Sequence, residues 1–321
     1  MHAACAIACA LLVALAAGCA GGRSTGGPIE RTGSADLASL WVEPTDLARR
    51  DLYQGVGGPE LAPDPGATYR FQARDVVGSS RGYDVTDPQG REWDVKLGPE
   101  VQPEIVLSRI LWAAGYHQPP TYYVGRWTLV GGGADAVQPP ARFRPKLLGR
   151  DREFYERKKV GEWEWRRNPW VGTPQMRGLV VINTLLNNWD LKTSNNAIYE
   201  IPKAVEGARR WYVVKDVGGA LGQMPGYVFD GIPNDVAAFE RSGFLLGAER
   251  GRVLFDYRRP HGDLLADVTA ADVRWACERL ARIAPAQWRD AFRAAAYEPE
   301  VAERYIRKIE AKIAEGRRLA R

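Results

Sequence analysis

A short polar stretch between two apolar segments combines an acid, a cation and several amides. Residues 185–199 have the sequence LLNNWDLKTSNNAIY, which places Asp190, Lys192 and Asn195 on one turn. A carboxylate can take a proton from a hydroxyl group, an ammonium can neutralise a transferring anion, and an amide oxygen is a hard ligand suited to Mg²⁺. The same residue types also cap helices and turns, so this turn indicates either chemistry or simple capping.

Three further polar residues lie at the ends of apolar elements. Lys96 is in the strand-like WDVKL, Glu104 is near the start of the next helix-like segment, and Asp216 ends the strand-like VVKD. Taken singly, each has an ordinary explanation. A strand lysine such as Lys96 usually extends to solvent, and an acid in the first helical turn, such as Glu104, interacts favourably with the helix dipole. The D-V-G that begins at Asp216 is an ordinary turn sequence. A glycine-bearing turn, GSSRG, precedes them and contributes the candidates Gly78, Ser79, Ser80 and Gly82.

Strand patterns dominate the chain between residues 68 and 148. Alternating β-branched and aromatic residues in TYRFQARDVV, YDVTD and EWDVKLG predict an antiparallel meander. PEIVLSRILWAAGY follows as a predicted helix, with Pro103 in its first turn, apolar residues at i, i+3, i+4 and i+7, and Gly115 at its end. TYYVGRWTLV and ARFRPKLLG predict two more strands.

The second half of the chain is more helical. Thr173 and Pro174 begin a predicted helix that runs through MRGLVVINTLLNN into the polar turn. NAIYEI and RWYVVKD predict a hairpin that leads to Asp216. A capping box at Thr269 and Asp272 begins another predicted helix, and PAQWRDAFRAAA and EVAERYIRKIEAKIAEG predict the last two. The sequence therefore predicts an α+β fold.

An aromatic and basic segment spans residues 152–170 and carries Trp163, Trp165 and Trp170. One interpretation is a substrate-binding or membrane-facing insertion beside a cleft. The other is that the tryptophans pack between two lobes while the charges stay solvated, and this second interpretation is favoured.

The order and spacing of the polar residues resemble those of the protein-kinase fold, in its divergent HipA-like, secretory-pathway and spore-coat branches. There a strand lysine pairs with a helix glutamate, a catalytic loop reads D-x-K-x-x-N, and a D-F-G aspartate follows. The polar turn matches the loop, and Asp216-Val217-Gly218 stands where D-F-G would be. The resemblance spans about residues 68–222. It implies a bilobal α+β fold, with a small antiparallel-sheet N-lobe carrying one helix and a mainly helical C-lobe.

The resemblance also implies a role for each matched residue. Lys96, held by Glu104, would grip the phosphates of ATP. Asp190 would accept the proton of an incoming hydroxyl, and Lys192 would neutralise the transferring group. Mg²⁺ or Mn²⁺ would be held by two residues, Asn195 and Asp216. The phosphates would be covered by the glycine turn and its residues Gly78, Ser79, Ser80 and Gly82.

Several positions depart from the kinase pattern. The glycine turn is G-x-x-x-G, Asn188-Trp189 replaces the usual His-Arg, and Val217 replaces phenylalanine. No A-P-E motif follows Asp216. These differences argue against a regulated activation loop and a peptide-substrate groove of the usual kind.

The first 18 residues contain no Lys, Arg, Asp or Glu, and their apolar run is short for a membrane span. LAAGC, ending at Cys19, resembles a bacterial lipobox and implies lipidation of that cysteine. The alternatives are an ordinary secretory signal and a buried apolar N-terminus. The predicted location is a bacterial membrane, on its periplasmic side, and the outer membrane is the one expected. The predicted boundaries are a lipoprotein signal peptide (1–18), a flexible tether (19–40), an N-lobe with its lead-in (41–148) and a C-lobe with C-terminal helices (149–321).

Composition excludes several classes of protein. The 44 basic and 39 acidic residues leave a net charge of +5, too mild for a nucleic-acid partner. After loss of the signal and lipidation of Cys19, Cys277 stands alone, so no disulfide framework is expected within the mature monomer. With only three histidines, a His/Cys zinc site is not expected either.

These observations predict a membrane-anchored, exported, kinase-like phosphotransferase. It would move the γ-phosphate of ATP to an unknown hydroxyl acceptor, a protein or a small molecule. Because free ATP is not expected outside the cytoplasmic membrane, a non-catalytic, pseudokinase-like binding or scaffold lipoprotein is an alternative. AMP transfer on the same fold is another. The expected partners are the nucleotide, the acceptor and the membrane through the lipid anchor, with no nucleic acid.

Overall fold

The chain forms a mixed structure of helices and strands, which confirms the predicted α+β class. A computed structural model describes residues 28–75, 81–132, 136–146, 158–205, 207–225, 231–257 and 261–319. The predicted signal peptide, the first part of the predicted tether with Cys19, and the turn residues Gly78, Ser79 and Ser80 lie outside these ranges.

The described residues contain fourteen strands and six α-helices. The strands are β1 (Glu30–Arg31), β2 (Thr68–Asp75), β3 (Gly82–Thr86), β4 (Glu92–Leu97), β5 (Tyr122–Val124), β6 (Trp127–Val130), β7 (Ala136–Gln138), β8 (Ala141–Pro145), β9 (Lys158–Gly161), β10 (Arg167–Asn168), β11 (Asn196–Val205), β12 (Ala208–Val214), β13 (Leu245–Glu249) and β14 (Arg252–Phe255). The helices are α1 (Val101–Ala113), α2 (Pro174–Leu185), α3 (Val236–Arg241), α4 (Ala270–Leu280), α5 (Pro285–Arg293) and α6 (Pro299–Arg317). Of the helices in these ranges, none is long and apolar enough to cross a membrane.

Seven strands form the largest sheet, in the order β5-β8-β4-β3-β2-β6-β7. The predicted meander of β2, β3 and β4 is antiparallel. However, β6 joins β2 in parallel, so the sheet is mixed rather than wholly antiparallel. The reason is a break in TYYVGRWTLV, which the sequence predicted as one strand. The chain leaves β5 at Gly125 and Arg126, and β6 then pairs far from it in the same sheet.

Of the three apolar cores among the described residues, the two larger ones lie around the site. The smaller of these two lies on the seven-stranded sheet and is built around aromatic rings, with Tyr69 and Phe143 4.9 Å apart between centroids. The larger one contains the buried faces of the helices together with residues of 37–52, which we call the lead-in segment. Trp163, Trp165 and Trp170 are buried in this larger core, which agrees with the packing interpretation of the aromatic segment.

Helix α1 is buried nearly all round, whereas the sequence predicted one apolar face. Eleven of its residues are buried, and Glu104 and Arg109 are among them. A helix surrounded by other elements has no solvent face, and α1 packs against β5, β8, α5 and the larger core. Its polar residues therefore need partners inside the protein.

The beginning of α1 is tied to the helical part of the molecule. Gln102 donates from Nε2 to the carbonyl oxygen of Ala295 at 2.9 Å and accepts from Asn234 Nδ2 at 3.0 Å. Gly218 also lies against this end, because a Cβ on that glycine would come within 2.7 Å of Glu100 Cβ.

The end of α1 is tied to the lead-in segment. Trp41 donates from Nε1 to the carbonyl oxygen of Ala114 at 2.8 Å, and Arg50 donates from Nη1 to that of Trp112 at 2.5 Å. The helix stops where Gly115 takes a φ of +98°. The lead-in segment is thus part of the packed molecule and fixes the far end of this helix.

Candidate active site

The seven-stranded sheet and α1 together position Lys96. The lysine lies on β4, opposite Gly82 on β3 and opposite Arg142 on β8. The chain then turns at Gly98, whose φ is +108°, and enters α1. This turn brings the first residues of the helix back over the lysine.

Three carboxylates surround the ammonium of Lys96. Its Nζ lies 2.5 Å from Glu100 Oε2, 2.8 Å from Asp216 Oδ1 and 3.3 Å from Glu104 Oε2. Burial alone would lower the pKa of Lys96, but the charges of Glu104, Asp216 and Glu100 outweigh it and raise the pKa above its usual value. The lysine is therefore a fixed cation at any physiological pH.

Glu104 is the centre of a buried charge network that the sequence did not predict. Its side chain is 1% exposed, and Oε1 lies 2.9 Å from Arg142 Nε and 2.6 Å from Arg144 Nη2. Arg144 also donates to the carbonyl oxygen of Lys215, beside Asp216, at 2.6 Å. The two arginines alternate along β8 and so share one face of the sheet. Glu104 is thus neutralised from β8 as well as from β4.

The hairpin of β11 and β12 delivers Asp216 to the same place. The backbone amides of Lys215 and Asp216 donate to the carbonyl oxygen of Asn195, at 2.9 and 3.3 Å. Burial would raise the pKa of Asp216, but the ammonium of Lys96 and the guanidinium groups of Arg144 and Arg142 hold it at about 2. Asp216 is therefore an anion that directly contacts Lys96.

The polar turn that follows α2 lies against the segment after Asp216. Trp189 donates its backbone amide to the carbonyl oxygen of Gly219 at 3.3 Å, and a Cβ on Gly219 would lie 3.2 Å from Asp190 Cβ. Asn195 donates from Nδ2 to the carbonyl oxygen of Asp190 at 2.7 Å. Lys192 lies with its Nζ 2.9 Å from Asp190 Oδ1 and is 64% exposed. The turn thus holds a partly exposed acid paired with an exposed cation, next to a buried amide.

Asn188 has a structural role where the kinase pattern has a histidine. It is fully buried, donates from Nδ2 to Asn183 Oδ1 at 2.7 Å, and accepts from the backbone amide of Asp190 at 3.4 Å. Asn183 lies on α2 and donates in turn to the carbonyl oxygen of Leu179. This chain of bonds joins the helix to Asp190. The sign of it in the sequence is Asn183, a polar residue on an otherwise apolar face of the predicted helix.

The structure brings together six of the residues proposed from the sequence. Lys96 contacts both Glu104 and Asp216. The backbone of Asp216 bonds to Asn195, on the turn that also carries Asp190 and Lys192. Gly82 lies on the neighbouring strand. The partners that the sequence did not point to are Glu100, Arg142, Arg144 and Asn183. Asp94 is another, with its Oδ2 3.1 Å from Arg142 Nη1.

The donor atoms near Asp216 are suited to a magnesium ion that also binds phosphate. Within the described ranges, no cluster of three His, Cys, Asp or Glu side chains is arranged to hold a metal by itself. Mg²⁺ usually takes one or two protein carboxylates, keeps several waters and completes its shell with substrate phosphates. One carboxylate, Asp216, and one amide, Asn195, fit that arrangement.

The stabilising effect of Asp216 is expected to depend on pH. Its pKa of about 2 in the folded protein is below the ordinary value of 3.8, so its contribution is complete above pH 4 and is lost as the pH falls toward 2. Urea unfolding of the wild type and Asp216→Asn, compared at pH 6, 4 and 3, should show a difference in free energy that shrinks with acidification. A difference that stays constant or grows would contradict this assignment of charge.

Comparison with protein-family models finds no match, and comparison with curated proteins finds none. Among solved structures, the proinflammatory kinase CtkA of Helicobacter pylori is similar to this chain, with 10% sequence identity and a TM-score of 0.41. The similarity covers 78% of this chain and 93% of that chain. This likeness is distant, and the interpretation of the site rests on its own geometry.

Proposed function

We propose that the chain is a kinase-like phosphotransferase that moves the γ-phosphate of ATP to a hydroxyl acceptor. The observation that carries this proposal is the convergence of Lys96, Glu104, Asp216, Asn195 and Asp190 from separate elements of the fold. A fixed cation, a base and hard oxygen ligands in one place are what phosphoryl transfer needs, since its catalysis is mainly positioning and charge neutralisation.

Each residue has a definite task in this proposal. Lys96 binds phosphate oxygens, and Asp190 accepts the proton of the acceptor hydroxyl as its oxygen bonds to the γ-phosphorus. The bond from that phosphorus to the bridging oxygen breaks, and ADP leaves with the electron pair. Lys192 is exposed and lies beside Asp190, where its ammonium can neutralise the transferring group. A magnesium or manganese ion held by Asn195 and Asp216 would supply further charge neutralisation.

The proposal includes a location and a bilobal shape. The sheet with its own aromatic core forms the N-lobe, and the helices α2 to α6 form the C-lobe. The lipobox-like LAAGC supports an exported lipoprotein anchored through Cys19 to a bacterial membrane. The acceptor is a protein or a small molecule on that side of the membrane.

Two other functions fit parts of the same site. A pseudokinase-like binding or scaffold lipoprotein would need no ATP, which is not expected to be free outside the cytoplasmic membrane. It gives no reason for Lys96, Asp190 and Asp216 to lie together. AMP transfer would use the same charges with the nucleotide in a different orientation.

Thermal unfolding with nucleotide tests the proposal. The full chain in detergent should melt at a higher temperature with ATP and Mg²⁺, because a ligand at about one hundred times its Kd stabilises by roughly 2.7 kcal/mol. That corresponds to a rise of several degrees. Mg²⁺ alone and AMP with Mg²⁺ serve as controls. No shift at millimolar ATP would overturn the nucleotide-dependent functions.

Isotopic labelling separates the functions from one another. A γ-phosphate label that appears on an acceptor, or on the protein itself, would support phosphate transfer. A label carried over from the α-phosphate would support AMP transfer instead. Binding without transfer of either label would favour the scaffold.

A further inference from the structure

Glu100 is the residue immediately before α1, and its side chain does not cap the helix. Glu100 accepts the helix's first backbone bond, from the amide of Glu104 at 3.0 Å, but its side chain makes no bond to the helix's free amides. Such bonds are the usual use of a polar side chain at this position. The carboxylate instead turns to Lys96, where it makes the shortest of the three ion pairs.

Glu100 and Asp216 make the two shortest ion pairs with Lys96. Glu104 is the more distant of its partners, and two guanidinium groups already contact its Oε1. Glu100 is 23% exposed and Asp216 is 36% exposed, so both carboxylates border the space that a ligand of Lys96 would enter. Together the lysine and these two acids have a net charge of −1, which repels a free polyphosphate.

Glu100 and Asp216 are also mechanically connected. Gly218, two residues after Asp216, packs so tightly on the start of α1 that a Cβ there would lie 2.8 Å from the carbonyl oxygen of Glu100. The backbone of the aspartate segment therefore fixes where Glu100 stands. Both carboxylates remain beside the lysine unless a stronger partner draws one away.

We propose that Glu100 is a specificity-determining residue that makes the cleft select a metal-complexed polyphosphate over a free one. This inference rests on the proposed function. Without a divalent cation, both acids hold the ammonium and oppose phosphate oxygens. With one, Asp216 would hold the metal, and the complexed polyphosphate would carry less negative charge, so the carboxylate of Glu100 would oppose it less than it opposes the free form. Glu100 thus strengthens the coupling between metal and nucleotide.

Glu100→Gln tests this role because it removes the charge and keeps the size. ATP affinity of the full chain is measured by calorimetry with excess Mg²⁺ and, separately, with EDTA. In the wild type, Mg²⁺ should tighten ATP binding strongly. In the variant, binding of metal-free ATP should improve. The ratio of the ATP affinity with Mg²⁺ to that with EDTA should therefore fall about tenfold, within the usual range of coupling factors. Glu249→Gln, on the exposed hairpin of β13 and β14, is the matched control.

The outcomes separate the two proposals. If no protein binds ATP under either condition, the proposed function fails and this inference with it. If ATP binds but Glu100→Gln leaves the ratio of affinities unchanged, this inference alone is overturned. A lower melting temperature with an unchanged ratio would show that Glu100 is only structural.

Discussion

Replacing Asp190 with alanine is expected to abolish transfer of the γ-phosphate while nucleotide affinity stays nearly the same. A positioned base generally contributes about 10²–10⁴ in rate, and Asp190 is the acid on the surface of the polar turn. The turn should survive, because Asn195 is held by the backbone carbonyl of Asp190 and not by its side chain. Transfer is followed with γ-labelled ATP and affinity by calorimetry.

Two variants sharpen this experiment. Asp190→Asn keeps the shape of the side chain but cannot accept a proton, so it should be as inactive as the alanine variant. Asp267→Ala removes an acid that is 54% exposed and pairs with Arg252, and it should retain full activity. Near-normal transfer by Asp190→Ala would show that the base has been assigned to the wrong residue.

Replacing Glu104 with alanine should be the most destabilising change at the site. The carboxylate is buried and contacts Lys96, Arg142 and Arg144, so its removal leaves three cations close together without their common partner. Breaking a buried ion pair in this way typically costs about 3–5 kcal/mol. Urea unfolding at pH 7 measures the loss in free energy of unfolding.

A surface ion pair provides the control for Glu104. Glu200 lies 2.6 Å from Arg210, and both side chains are about half exposed. Such pairs contribute roughly 0–1 kcal/mol, so Glu200→Ala should be nearly neutral. If Glu104→Ala costs no more than Glu200→Ala, the buried network does not hold the sheet and α1 together.

Local sequence patterns predicted most of the long elements. The three-strand meander, α1, α2 with its Thr173 cap, the β11–β12 hairpin and the capping box of α4 all occur as expected. The short strands β9, β10, β13 and β14 and helix α3 were not predicted. Their few residues carry too little periodicity to stand out from turns, and pairing partners distant in sequence determine whether they form.

The charged partners of the site were harder to predict than its central residues. Lys96 and Asp216 stood out because their spacing matched a known order. Arg142 and Arg144 alternate along a strand, a pattern that normally indicates a solvent-facing side. They are buried because α1 covers that face, which is a consequence of tertiary packing and not of local sequence. Glu100 was missed for a related reason, since its link to Lys96 depends on the turn at Gly98.

The bonds at the two ends of α1 set how often this helix can leave its position. Any rotation that separates Glu104 from Lys96 must break the bonds of Gln102 at one end and those made by Trp41 and Arg50 at the other. At about 0.5–1.5 kcal/mol each, these contacts add several kcal/mol to the charge network. A rotated helix would then occupy about 0.1% of molecules or fewer. The lysine and its glutamate therefore meet when the chain folds, and they stay together without any later signal.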